Sequence, residues 1–537
     1  MSNEKEQWGS RFGLILAVAG NAVGLGNFLR FPVQAASNGG GAFMIPYFIA
    51  FLLLGIPLMW VEWGIGRHGG KYGHGSAPGM FDVLWNNPVA KYMGVMGLLI
   101  SMVILIYYTY IESWTLGYSI FSITGLYQGE ESLGAMSGFL SSYQGLESGT
   151  HFTSMWPAYG LMLFTFLVNF FVLWRGLSGG IEKLAKFAMP MLFIFAVILL
   201  IRVFTLGTPD PSQPENSIAS GLAYIWEPNL SELSKASVWI AAAGQIFFTL
   251  SVGMGTIHAY ASYLRPKDDI ALSGLTTAAT NEFVEVVLGG SIAIPVAVAF
   301  FGLDMTKEIA SGGAFNLGFV SMPVIFGKIP LGQVFGMLWF LLLFVAGITS
   351  SVAMGQPVVA FFKNQFGMTH KRAVLALAAL VIICVQPVVF FLGHGFLDEM
   401  DYWSGTFGLV VFATIEIILF AWVFKIDRAW GEINSGSDIR IPVFFKYVIK
   451  YVTPLYLLII MGVWFYQDAW DILMLNKTPT GQPVNDADVP YIWGARALMV
   501  GLFALLAFLV HIAWKRKRKL GIEDTSLKKA KQAPAGS

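Results

Sequence analysis

Twelve long apolar runs follow one another along this chain, each about the length a helix needs to cross a bilayer. A hydrocarbon core about 30 Å thick takes roughly 20 apolar residues in helical form. Runs of this kind lie at 12–35, 41–66, 90–122, 157–174, 184–206 and 237–262, then at 270–302, 334–362, 372–392, 400–424, 444–466 and 490–514. Only 12% of the 537 residues are charged, against roughly 25% in a soluble protein, so there is too little charge to coat a water-facing surface. The semi-apolar stretch 303–333 is broken by Gly and Pro and reads as a structured loop. The polar start, MSNEKEQWGSRFG, carries no A-x-A cleavage signal before the first run, so no cleaved leader is expected. A net charge of +1 gives no footprint for nucleic acid, and the single Cys384 excludes an internal disulfide.

Lys and Arg in the connections set orientation. With the N-terminus in the cytoplasm, most of the basic residues fall on the inside, among them Arg67, Lys71, Lys91, Arg175, Lys183, Lys186 and the KRKRK run at 515–519. The outer loops hold few, and the 123–156 loop holds none. Twelve spans return the C-terminus to the cytoplasm, and the polar tail 517–537 reads as disordered.

Spans 1 and 6 carry matched interruptions. Ala22-Val-Gly-Leu-Gly-Asn27 aligns with Ser251-Val-Gly-Met-Gly-Thr256 on a shared V-G-x-G core. Equivalent positions lie five spans apart, and an odd number inverts the second copy. Spans 1–5 (8–206) and 6–10 (236–424) therefore read as inverted repeats, with spans 11 and 12 (441–514) added, in one domain covering 1–516. Paired Gly-interrupted segments are the strongest sequence pointer to a transporter's midplane site. Unwound carbonyls can hold cations and amines, and the next half-helix offers N–H groups to a carboxylate. The competing explanation is close helix packing through Gly20-x-x-x-Gly24 and its counterpart. Neither copy fits a nucleotide-binding glycine pattern.

Charges inside a membrane are functional candidates by default. Glu62, Glu112, Asn281, Glu282 and Glu285 lie within spans, while Arg30 and Asp401 have opposite signs at similar outer depth, as an ion-pair gate requires. Asp401 taken alone also fits a solvated helix start. Thr349-Ser350-Ser351 can either bond back to its own helix or, with span 1 carbonyls, form an all-oxygen cation site. Thr249 and Asn281 can do the same beside Asn27. His258 is the one histidine well inside a span, and a satisfied or water-facing role is expected of it rather than ligation. Cys384 reads as a small core hydrophobe.

These residues, together with Trp8, Asn21 to Asn27, Phe28-Leu-Arg30-Phe-Pro, Asn38-Gly-Gly-Gly-Ala-Phe and Tyr107-Tyr-Thr-Tyr-Ile-Glu-Ser-Trp114, resemble the neurotransmitter:sodium symporter family. Gly244-Gln-Ile-Phe-Phe-Thr-Leu-Ser251, Asn281-Glu and Ala346-Gly-Ile-Thr-Ser-Ser351 extend the resemblance over all twelve spans. It implies an all-α membrane protein of LeuT-like fold, a 5+5 inverted repeat with unwound spans 1 and 6. It further implies an amino acid carried inward with two sodium ions. By position, the first sodium site would use Ala22, Asn27, Thr249, Asn281 and the substrate carboxylate. The second would use Gly20, Val23, Ala346, Thr349 and Ser350. The substrate carboxylate would meet Leu25, Gly26 and Tyr108, and its ammonium Ala22, Phe248, Thr249 and Ser251, beside Asn21. Ile104, Tyr108, Phe248, Ser251, Met254, Ser350 and Met354 would line the side-chain pocket.

Glu285 stands where bacterial members have a carboxylate and chloride-dependent ones a neutral side chain, which implies chloride independence, with proton counter-transport or a purely structural acid as the open alternatives. Glu62 is expected to accept from loosened span 6 N–H groups. Where bacterial leucine transporters seal the inner gate with an Arg–Asp pair, this chain has Lys5 and Asn364, leaving Trp8, Ser262, Tyr263 and Gln356 as gate residues. A looser inner gate is expected. Met254, Met354 and Ile104 replace Phe, Ile and Val, and methionine repacks around varied shapes, so a broad hydrophobic range reaching aromatic amino acids is expected.

The expected protein is thus a sodium-coupled amino-acid symporter of the cell (inner) membrane, in contact with lipid and amino acid. No obligate protein partner or nucleic acid is indicated, and a homodimer is left open. A non-transporting amino-acid sensor is the alternative. No repeated pore-lining filter argues for a channel, and no nucleophile–base constellation argues for an enzyme.

Overall fold

The computed structural model describes residues 8–519. Lys5 and the tail from 520 lie outside the described residues. Among the described residues ten helices are long and apolar enough to cross a membrane uninterrupted. They are Gly41–Lys71, Ala90–Thr124, Trp156–Trp174, Leu177–Phe204, Ile270–Phe301, Gly332–Phe366, His370–Phe390, Phe396–Val423, Phe444–Leu473 and Val489–Lys519. The remaining two are broken, Arg11–Ala22 with Gly26–Ser37 as span 1, and Ala236–Thr249 with Thr256–Ala261 as span 6. Twelve spans result, in the order read from the sequence. The last helix runs to Lys519, so residues 517–519, expected in the tail, are helical. Sequence periodicity ends span 12 too early because a Lys/Arg-rich final turn is itself compatible with helix.

Two irregular stretches contain helices that hydropathy did not resolve. The loop after span 3 holds Leu133–Gln144, capped by Ser132, whose side chain accepts from Ala135 N–H. The 303–333 stretch, expected to be a loop, holds Leu303–Ser311 and, after a break at Gly312, helical turns from Gly313 that run through Met322–Lys328, with Pro323 inside the helix and not at a break.

Spans 3 and 8 pack along each other more extensively than any other pair and form the centre of the bundle. The most apolar window of span 3 is 94% buried inside the protein, whereas those of spans 5, 11 and 12 are 33% buried. The first is core; the others present their apolar sides to lipid. Span 1 lies against spans 5, 7, 8 and the second half of span 6.

Span 1 starts on Ser10, whose hydroxyl accepts from Gly13 N–H. It leaves helical geometry at Val23 (φ −74°, ψ 92°) and resumes at Gly26 with a 47° bend. Asn27 Oδ1 accepts the freed Gly24 N–H at 2.9 Å. Span 6 unwinds between Thr249 and Thr256, where Ser251, Gly253 and Gly255 take φ of 54°, 77° and 74°. At Gly253 only glycine fits, since a β-carbon would sit 2.4 Å from the Leu409 carbonyl oxygen. Unwound backbone is tolerated at membrane depth only when buried in protein or lining a cavity. Val23 and Val252 are fully buried, and Gly253 N–H donates to Glu62 Oε1 at 2.5 Å, the role expected of Glu62.

Candidate functional site

The two breaks face each other across one narrow cavity. Its walls are Asn21, Ala22, Gly24, Leu25, Gly26, Asn27, Ile104, Tyr108, Phe248, Thr249, Ser251, Met254, Ser350 and Met354. Every residue expected to touch substrate is in that lining. Leu25 N–H donates to the Tyr108 hydroxyl at 3.2 Å. Ser251 Oγ donates to the Asn21 carbonyl at 3.0 Å, and the Asn21 amide to Thr256 Oγ1 at 3.0 Å, lacing the two broken spans together. Backbone donors therefore stand at one end, and carbonyls with a hydroxyl at the other. Ile104, Met254 and Met354 are buried between them.

Two oxygen clusters flank the cavity. In the first, the Asn27 amide lies 3.1 Å from Thr249 Oγ1 and 2.9 Å from the Asn281 amide. Turned to suit its neighbours, the Asn281 amide lies 3.2 Å from the Ala22 carbonyl and 3.3 Å from that of Thr249. Glu285 backs this cluster. Its Oε1 accepts from Gln245 Nε2 at 2.6 Å, and its Oε2 from Asn27 Nδ2 at 3.1 Å and from the Thr249 hydroxyl. Gln245 was not singled out from sequence, although it precedes Phe248 by one helical turn. In the second cluster, Ser350 Oγ lies 3.1 Å from the Asn21 carbonyl, 3.3 Å from that of Ala346 and 3.5 Å from that of Gly20. Thr349 Oγ1 donates to the Ala346 carbonyl at 2.9 Å, so back-bonding and convergence on span 1 coexist. Val23 sits where span 1 leaves the helix beside this cluster. Ser351 turns away and donates to Glu112, which also accepts from Asn169 Nδ2 at 3.0 Å.

On one side of the cavity, Arg30 lies over the Phe248 ring, 4.3 Å from its centroid, while Asp401 accepts from the Tyr107 hydroxyl at 2.6 Å. Arg30 and Asp401 do not pair directly within 4.0 Å in this conformation, and the aromatic ring lies under the cation. Tyr107, adjacent to Tyr108 in sequence, is the partner that charge reading alone missed.

On the opposite side, Trp8 Nε1 donates to the Tyr260 carbonyl at 3.1 Å, and Gln356 Nε2 to the Tyr263 hydroxyl at 2.9 Å. Ser262 Oγ bonds back to the Ala259 carbonyl. Asn364 packs its amide against Gly75. The main charges here were not anticipated. Arg11 pairs with Asp269 at 3.1 Å and Asp438 at 2.8 Å, and Glu182 accepts from Gly9 N–H at 2.8 Å and from Ser10 Oγ at 3.1 Å. They join residues from distant parts of the chain, which no sequence spacing reveals.

His258 departs from its expected role. It is neither satisfied nor water-facing, being fully buried with both ring nitrogens lacking hydrogen-bond partners among the described residues. Cys384 is buried, as expected.

Two unwound spans facing one buried cavity, with oxygen clusters on either side, define a membrane transporter built on broken helices. The sodium:neurotransmitter symporter family's sequence profile matches residues 5–130 and 137–473, and the chain belongs to that family. It is thus a sodium-dependent transporter, not an enzyme. An uncharacterized sodium-dependent transporter of Methanocaldococcus jannaschii is 32% identical over 480 residues, covering 88% of this chain and 92% of that one. A Haemophilus influenzae sodium-dependent transporter is 29% identical over 478 residues, 86% of this chain and 98% of that one. Among solved structures, MhsT in complex with L-phenylalanine superposes with a TM-score of 0.72 at 28% identity, covering 85% of this chain and 99% of that one. The LeuT-like 5+5 inverted repeat expected from the two V-G-x-G copies is the fold of this protein.

Proposed function

We propose that this protein imports hydrophobic L-amino acids, aromatic ones included, together with two sodium ions by alternating access across the cell (inner) membrane, with both termini cytoplasmic. The observation that carries the reading is the polarity of the cavity between the breaks. Donors at Leu25, Gly26 and Tyr108 suit a carboxylate; carbonyls at Ala22, Phe248 and Thr249 with the Ser251 hydroxyl suit an ammonium. A zwitterion needs both ends at once. The apolar walls of Ile104, Met254 and Met354 take its side chain, and the flexible methionines favour a broad range. MhsT, similar throughout its length, was solved with L-phenylalanine, which supports the aromatic end of that range.

One sodium ion binds among Ala22, Asn27, Thr249 and Asn281, and its remaining ligand is the substrate carboxylate. Binding of either then favours the other, a reciprocal coupling free energy. The second sodium binds among Gly20, Val23, Ala346, Thr349 and Ser350 and holds span 1 to span 8. Each elementary charge moved inward gains about 2.3 kcal/mol per 100 mV. Glu285 supplies beside the first ion the negative charge that chloride supplies in other members, so transport is chloride-independent, with a proton exchanged at Glu285 on the return step. Arg30, Asp401, Tyr108 and Phe248 close the outer side, and Trp8, Ser262, Tyr263 and Gln356 the inner.

Competition uptake across the apolar and aromatic amino acids tests the substrate class. Inhibition by leucine, methionine, phenylalanine and tryptophan is expected, and strict selectivity for a single small amino acid contradicts it. A sensor shares the same site and binds the same panel, but produces no flux.

A further inference from the structure

Three side chains outside the transport site meet at one dry point. Glu62 comes from span 2, His258 from the second half of span 6 and Glu416 from span 10; one oxygen or nitrogen from each lies within 4.8 Å of the others. All three residues are fully buried. His258 Nδ1 stands 3.5 Å from Glu416 Oε1, and the imidazole lies edge-on to Phe81 and Phe412. Among the described residues both imidazole nitrogens lack a hydrogen-bond partner, and Glu416 and Glu62 Oε2 face only each other, carboxyl to carboxyl. The donor recorded here is Gly253 N–H, to Glu62 Oε1. Among the described residues no Lys or Arg pairs with either carboxylate.

Buried polar atoms are ordinarily satisfied, and a cluster of orphans needs an explanation. Two carboxylates away from water carry up to two negative charges that a buried site cannot hold uncompensated. An imidazole and two carboxylates are the nitrogen and oxygen donors that divalent zinc accepts. Zinc bonds of about 2.0–2.2 Å place tetrahedral donors about 3.4 Å apart, so shifts of about 1 Å or less per side chain close the site. We propose that Glu62, His258 and Glu416 form a binding site for a divalent transition-metal ion of the zinc type. The ion binds in exchange for the protons the two carboxyl groups otherwise hold. It ties spans 2, 6 and 10 together at the unwound loop, because Glu62 also holds Gly253. The site is sealed in this conformation, so the ion enters when span 6 moves.

The test uses the full chain in detergent, carrying no polyhistidine tag, stripped with EDTA, incubated with Zn²⁺ or Co²⁺ and desalted. Retention of about one metal per chain is expected, with visible d–d absorption from the Co²⁺ form and a raised melting temperature. His258→Gln and Glu416→Gln each lower affinity tenfold or more. Surface His–acid pairs such as His394–Asp488 are separated by this comparison, since they survive both substitutions. Wild-type protein that retains no metal means the cluster holds protons only and overturns the proposal, whatever the variants do. Wild-type retention in a folded His258→Gln protein overturns it equally. None of these readouts depends on which substrate is carried.

Discussion

Phe248 lies against Gly26 so closely that a β-carbon on Gly26 would sit 2.6 Å from Phe248 Cε1. The same ring carries the Arg30 guanidinium 4.3 Å from its centroid. The cavity wall, the proposed carboxylate contact at Gly26 and the proposed outer gate therefore share one aromatic ring. Gly26→Ala must displace it. Overpacking of a tight site costs about 1–3 kcal/mol, so substrate affinity falls roughly five- to hundredfold. Phe248→Leu added to Gly26→Ala recovers part of the loss. Equilibrium binding of a labelled amino acid to purified protein checks this, and unchanged affinity in Gly26→Ala contradicts the assignment of this wall.

Asp269 is almost fully buried, pairs with Arg11 and caps span 7 by accepting from Leu272 N–H at 2.9 Å. Asn also caps helices well, so Asp269→Asn removes the charge and keeps the cap. The expected result is release of the segment bearing Trp8, with severalfold faster thiol labelling at Ser262→Cys in a Cys384→Ala background. Asn364→Asp, which adds an acid at this position, shifts labelling the other way. Equal rates in all three proteins contradict an inner gate held by these charges.

Arg67, which is fully buried, donates to Glu432 Oε1 at 2.9 Å and to the Asp268 and Ser435 carbonyls, while Lys71 reaches Glu432 Oε2 at 2.7 Å. Burial alone raises the Glu432 carboxyl, but the His68 hydrogen bond and the Arg67 and Lys71 charges outweigh it and hold it at about 2, below its ordinary 4.5. A depressed carboxyl contributes stability above its unfolded value and loses it as pH falls through its folded one. The melting temperature is therefore expected to drop between about pH 4.5 and pH 2. Glu432→Gln is less stable at neutral pH and flatter across that window. A variant with the wild-type slope contradicts the assignment.

Glu285 accepts from Gln245, Asn27 and Thr249 beside the first oxygen cluster. Glu285→Ser removes the fixed charge and leaves a hydroxyl donor. Uptake by the variant is expected to require chloride and to lose its response to a proton gradient, while wild-type uptake proceeds in gluconate. Chloride-dependent wild-type uptake contradicts the role.

The bundle and its two breaks were legible because their signal is local, whereas the cavity lining was implied only by the family resemblance. Apolar length marks a span, and V-G-x-G marks an unwinding. What stayed hidden was pairing across distant segments. Glu416 is an unremarked acid in an apolar span until span 6 brings His258 to within 3.5 Å of it. Arg11 and Asp438 are unrelated in sequence, yet they meet at 2.8 Å. Arg30, Asp401 and Phe248 were legible as members of a proposed outer gate, but not that Arg30 stacks on the Phe248 ring while Asp401 takes the Tyr107 hydroxyl in this conformation. The helix Leu133–Gln144 escaped because a short polar-faced helix leaves no hydropathy signature.

The central claim is that sodium and an amino acid move together through the cavity between Leu25 and Ser251. Purified protein reconstituted into vesicles, supplied with labelled leucine or phenylalanine and an inward sodium gradient, measures this directly. Accumulation above equilibrium is expected with sodium, collapse to equilibrium when potassium replaces it, and severe loss in Asn27→Ala and Thr349→Ala. Binding without accumulation, or accumulation indifferent to sodium, would contradict it.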